Sequence, residues 1–198
     1  MLKRLLALAA GAAAVFAFAP FGASLVSVAA LATLFFLWQA APSAREGAWQ
    51  GFAFGLGLFG AGVSWVYVAL ETFGGMPAPV ALVATAGFVA YLAVWPALAG
   101  WAVARFTPVG APARLLAAAA AWTLAEWLRG FVLSGFPWLA VGNAELSPGG
   151  ALPLAGFAPI GGVFLVSLAV ALTAAAIAAI AGALADDRPR RVVAMLVG

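Results

Sequence analysis

Two ionisable residues stand where the surrounding sequence argues for lipid. In the stretch 122–138, WTLAEWLRGFVLSGFPW, Glu126 and Arg129 lie three residues apart in a strongly apolar run, which then breaks at Gly135 and Pro137 between aromatic residues. A charge near the centre of a bilayer costs about 2.5–3.5 kcal/mol on insertion scales, and ionisable groups at membrane depth mark candidate functional sites. At i, i+3 on a helix the two side chains share a face and partly neutralise each other. Two readings stand side by side. One is a structural ion pair, Glu126 with Arg129, at the mouth of a helix bundle. The other is a guanidinium placed to meet lipid phosphate, whose geometry it matches. Other chemistries find no residues: the chain has no cysteine and no histidine, so it lacks thiol nucleophiles, disulfides, imidazole bases and the commonest metal ligands. No metal and no cofactor is expected.

The elements that must position this pair are membrane helices. Of 198 residues, 67% are hydrophobic and only 8% charged, and the mean hydropathy is +1.15. Soluble domains carry about a quarter charged residues. The nine Lys and Arg against six Asp and Glu fall between apolar runs rather than in one patch, which argues against a nucleic-acid footprint. The expected fold is all-α, a polytopic membrane bundle with spans at about 5–19, 23–38, 49–70, 80–103, 115–133 and 160–184. After the charged residues 186–191, the run 192–198 reads as the start of a truncated seventh span, leaving 1–191 as the transmembrane domain. The first run resembles a secretory signal peptide, but Pro20 follows the small-residue end and apolar segments continue, so it reads as an uncleaved first helix.

Eight of the nine basic residues, all but Arg129, fall on one side of a six-span alternation, which the positive-inside rule makes cytoplasmic. The N-terminus is then cytoplasmic. The long connection 134–159, with Asn143 and Glu145, lies on the other side, together with Arg129, Trp65, Tyr67 and Trp138. Gly51 and Gly55 in the third span form a G-x-x-x-G spacing, which lets helices approach closely in lipid. Pro96 predicts a kink in the fourth. Trp65, Tyr67, Phe136, Pro137 and Trp138 suit an interfacial aromatic belt.

Four blocks carry a resemblance to a known family: GVSWVYVALETFGG at 62–75, VAYLAVWPAL at 89–98, WTLAEWLRGFVLSGFPWL at 122–139 and LAGFAPIGGV at 154–163. Together they make the chain similar, over essentially its whole length, to the apolipoprotein N-acyltransferases of bacterial inner membranes. The resemblance implies an eight-helix membrane domain with a periplasmic nitrilase-like domain inserted between the seventh and eighth helices. It implies a Glu-Lys-Cys triad that takes an acyl chain from phospholipid as a thioester and passes it to the N-terminal amine of a diacylglyceryl apolipoprotein. A thiolate suits that step because it is intrinsically nucleophilic. The triad maps onto no residue here, and Glu126, within the membrane block, is not its glutamate. The expected function is therefore that of the membrane domain, which anchors the catalytic domain and guides lipid substrates, with no turnover by this chain alone. The lipid-contacting candidates are Arg129, Phe136, Pro137, Trp138, Trp65 and Tyr67, and substituting Arg129 with alanine is expected to weaken phospholipid use. A small multipass transporter or a structural partner subunit are the competing readings. A transporter predicts internal repeats and midplane charges, and neither stands out.

Overall fold

The computed structural model describes residues 1–146 and 150–185. The charge cluster 186–191 and the apolar run 192–198 lie outside them. The described elements are helical: α1 (Leu2–Ala14), α2 (Leu25–Gln39), α3 (Ala44–Gly62), the short α4 (Trp65–Val68), α5 (Ala78–Phe106), α6 (Pro112–Arg129), the short α7 (Gly142–Leu146) and α8 (Ala158–Ala185). The six long helices close into a ring in the order α1, α3, α5, α6, α8, α2, with α2 packing back on α1. Helix α2 also leans inward against α3, α5 and α6. It is apolar on every side, as a helix surrounded by others must be, and it buries Leu31, Leu34, Phe35 and Trp38 almost completely.

Glycine decides how closely α3 is gripped. Gly47, Gly51 and Gly55 meet the backbone of α5 at Gly100, Pro96 and Ala93, while Gly57 meets Leu8 and Ala12 of α1. A Cβ at Gly51 would strike the Pro96 carbonyl, and one at Gly57 would strike that of Leu8. Where lipid tails are as apolar as leucine, such contacts hold helices together. The start of α3 is fixed by Ser43, whose hydroxyl accepts from the Glu46 amide at 3.2 Å, half of the capping arrangement expected of Ser-x-x-Glu. The Trp38 indole donates to the Gly47 carbonyl at 3.1 Å across the α2–α3 seam.

The apolar third run is not one straight helix. It breaks after Gly62, and the segment Trp65–Phe73 continues at 50° to α3. The break makes room: a Cβ at Gly62 would collide with the Leu139 side chain, which packs there from the connection after α6. Helix α5, in contrast, runs unbroken through Pro96. Helix α8 bends at Gly161 and Gly162, the latter at φ 65°.

Among the described residues two helices, Ala78–Phe106 and Pro153–Ala185, are long and apolar enough to cross a membrane, or three if the bent pair Ala44–Gly62 and Trp65–Phe73 is one span; Leu25–Gln39 is apolar but shorter. The outer surface carries Leu82, Val83, Leu98, Leu116, Ile180 and Leu184, each more than half exposed. Water-soluble monomers rarely expose such extended apolar surface. The chain is an all-helical membrane protein.

Candidate functional site

The C-terminal end of α6 turns back on itself. Gly130, Phe131 and the short helical turn Val132–Ser134 begin the connection after α6, in which Leu133 and, further on, Leu139 adopt left-handed conformations, φ 52° and 59°. Gly135 sits at φ 74°, and a Cβ there would strike the Gly130 carbonyl. Such conformations are strained for residues other than glycine and persist only where the surroundings enforce them.

Here the enforcement comes from the two charges. Arg129, 2% exposed, directs Nη1 to the Phe136 and Trp138 carbonyls, the second at 2.7 Å, and its main-chain carbonyl accepts from the Phe136 amide at 2.8 Å. The guanidinium lies over the Phe59 ring of α3, 5.0 Å from its centroid. Glu126, 4% exposed, accepts through Oε1 from the Trp122 indole and from the Val141 amide, both at 3.0 Å. One residue further on, the Gly142 amide donates to Ser167 Oγ of α8 at 2.9 Å. Residues 136–142 are thus pinned from below at four points, by side chains from α6 and α8.

Glu126 and Arg129 share a face of α6, but the structure does not bring them together as a contact ion pair. Among the described residues the ion pair closer than 4 Å is Arg4 with Glu46. The two charges act on each other at longer range; Arg129 bonds to the connection, and Glu126 to the connection and to Trp122 of its own helix. The cavity that both line, with Leu58, Trp95 and Pro96, measures about 10 Å³. That is room for no more than a single water. Arg129 is enclosed by protein rather than open to a headgroup.

What the pinning presents outward is aromatic. Trp138 is 51% exposed and Trp65 47% exposed, and their rings meet edge-on at 5.8 Å. Pro137 is exposed beside them, and Phe136 and Tyr67 are half-buried. Phe136 packs edge-on against Phe88 at 5.0 Å, and the Tyr91 hydroxyl approaches the Val132 carbonyl at 3.5 Å. Trp65 and Trp138 are therefore joined, Phe136 is tied to α5, and Tyr67 has no aromatic contact with the group. Sequence reasoning missed Phe59, Phe88, Val141 and Ser167. Ser167 carried the one legible signal, a lone hydroxyl inside the apolar run FLVSLAV.

The exposed rim is mainly aromatic and apolar, and it offers a surface for apolar groups. Glu145, from α7, is buried and accepts from the Leu152 amide at 3.1 Å, which folds the long connection onto itself.

The family model described as the apolipoprotein N-acyltransferase N-terminal domain matches residues 10–176. Proteins named apolipoprotein N-acyltransferase are similar to this chain: one from Nitrosomonas europaea is 47% identical over 171 residues, 85% of this chain and 33% of the relative. Another from Vibrio vulnificus is 45% identical over 89% of this chain and 34% of the relative. A third, from Methylococcus capsulatus, is 45% identical over 96% of this chain and 37% of its own length. The chain spans about a third of the length of these relatives, and it belongs to the apolipoprotein N-acyltransferase family, whose N-terminal domain it carries.

Proposed function

We propose that this chain is the membrane portion of an enzyme that moves an acyl chain from a phospholipid to the N-terminal amine of a diacylglyceryl apolipoprotein. In this reading the bundle crosses a bacterial inner membrane six times within 1–191, with the N-terminus cytoplasmic and the connection 134–159 periplasmic. The bundle anchors a catalytic domain at the outer surface and guides acyl chains to it. Trp65, Tyr67, Phe136, Pro137 and Trp138 form the rim over which those chains pass, while Arg129 and Glu126 hold the rim in shape. Acyl transfer needs a nucleophile, and a chain without cysteine supplies no thiolate for the step; residues 1–198 alone are expected not to turn over.

The observation that supports this reading most is the exposed Trp65–Trp138 pair, in which Trp138 sits on a strained loop fixed by buried charges. An ordinary interfacial belt needs aromatics but no such fixation. The test uses the full-length enzyme with Trp138→Ala and Trp65→Ala, measuring lipoprotein acylation against phospholipid concentration. The KM for phospholipid is expected to rise several-fold with Tm little changed. An unaltered KM would remove the rim from the lipid path.

A further inference from the structure

The hairpin α1–α2 is shorter than a bilayer is thick. No charged residue stands between Arg4 and Arg45. From Leu5, α1 and the helical turn Val15–Ala17 that continues it rise about 21 Å, and α2 rises about 22 Å. A hydrocarbon layer measures about 30 Å. Helices α5 and α8, on the same bundle, run to about 42–44 Å. The turn does not make up the missing length, because the Ala23 amide donates to the Phe16 carbonyl at 3.0 Å and closes the chain back on itself. Nor is the tip built for water. Phe16, Phe21 and Leu25 are each at least half exposed. Leu5, Leu8 and Phe16 fall on one stripe along the outer side of α1, so the apolar surface continues from the helix onto the tip. The polar groups of the turn face inward: Ser24 Oγ accepts from the Ala151 amide at 2.8 Å, and the Ser27 hydroxyl donates to the Ser24 carbonyl at 2.7 Å. The amides of Phe18, Phe21, Gly22, Ala23 and Ser24 donate to carbonyls of the turn itself. A segment at membrane depth needs its backbone satisfied in this way. At the same end of the bundle, the connection from α3 to α5 instead carries Glu71, which accepts from the exposed Thr72 hydroxyl at 2.7 Å.

We propose that the phospholipid leaflet on the side of the aromatic rim thins over the α1–α2 tip, with acyl chains covering Phe16, Phe21 and Leu25 and headgroups sunk toward the turn. The bundle then holds a bilayer that is thin on its α1–α2 flank and of full depth on the α5 flank, which lies across the ring of helices. Local thinning is the usual response to an apolar element shorter than the layer around it. Water would meet exposed aromatics with no polar side chain among them, and a protein cover would have to overlie a surface continuous with the outer stripe of α1. Lipid suits both. Val15 and Leu139 both lie against Gly62, so the thinned patch borders the rim. The proposal depends on the bundle lying in a bilayer and not on the acyl-transfer reading.

Cryo-electron microscopy of the full-length protein in nanodiscs of phosphatidylethanolamine and phosphatidylglycerol reads the headgroup layer directly. On the rim side, headgroup density beside α1–α2 is expected about 8 Å nearer the midplane than beside α5, the shortfall of the hairpin against the hydrocarbon thickness. A level headgroup layer overturns the proposal, and so does protein density lying over Phe21. Thermal unfolding of two tip variants in the same nanodiscs gives a second readout. Phe21→Asp and Phe21→Ser remove the same exposed ring, and only the first adds a charge. The aspartate variant should melt several degrees below the serine variant, because a carboxylate is costly where acyl chains begin. Equal melting temperatures would put the tip in water and overturn the proposal.

Discussion

Replacing Arg129 by methionine tests the central structural argument, that the rim is held by charges acting through the backbone rather than by a contact ion pair. The substitution keeps an apolar side chain of similar length but removes two charge-assisted hydrogen bonds, to the carbonyls of Phe136 and Trp138, and the contact with the Phe59 ring. It also leaves the Glu126 carboxylate, 4% exposed, without its nearby positive charge. Bonds to charged groups contribute about 1.5–3 kcal/mol each, but they are not additive, and removing one partner of a buried charge pair costs about 3–5 kcal/mol in total. For a domain of this size 1 kcal/mol moves Tm by about 2–4 °C, so thermal unfolding of the full-length protein in detergent should show a loss on the order of 10 °C. The second variant carries the argument. Glu126→Gln keeps an oxygen for Trp122 and Val141 while removing the charge, so the double variant Arg129→Met, Glu126→Gln should be clearly more stable than Arg129→Met alone. Additive singles would show only that the two charges are not coupled; an Arg129→Met protein that melts with the wild type would mean that the rim is not held through Arg129, and the account of the pinned rim fails.

Other expectations are narrower. Gly57→Val places a side chain against the Leu8 carbonyl of α1; overpacking of this kind costs about 1–3 kcal/mol, read as a lower Tm, whereas Gly87→Ala, with open space around it, should leave Tm unchanged. Gly135→Ala imposes a Cβ at φ 74° against the Gly130 carbonyl, so acylation by the full-length enzyme should fall while the circular dichroism of the bundle is retained. The Arg4 guanidinium, bonded to Glu46, holds that carboxyl below its ordinary range. The pair therefore contributes stability above the unfolded carboxyl value, and loses it as pH falls through the lowered folded value. Because both side chains are partly solvated, the contribution is small and salt-sensitive. Comparing Glu46→Gln with the wild type should show a small Tm difference near neutral pH that vanishes in strong acid and in high salt.

Some of this was written in the sequence by itself. Composition alone demanded a membrane protein, and the blocks around GFPW and VWPAL carried the family. The expense of a charge in lipid singled out Glu126 and Arg129, because the cost of burying a charge depends on its surroundings being apolar, which the sequence displays directly. The spacing of Gly51 and Gly55 announced close packing for the same local reason: four residues bring small side chains onto one helix face.

What the sequence left open depended on which helices meet. Helical spacing allowed Arg129 to reach Glu126, and could not show that the chain folds back so that the Phe136 and Trp138 carbonyls reach the guanidinium first. Trp65 and Trp138 were placed on one side of the membrane, but their edge-on contact needed α3 to break at Gly62, where Leu139 takes the space a Cβ would occupy. Arg114 looked like one more basic residue at a helix end, and only the tertiary packing buried it, its guanidinium donating to the Ala41 carbonyl beyond α2. Residue type determined which groups are expensive to bury; the ring of helices decided which of them found partners.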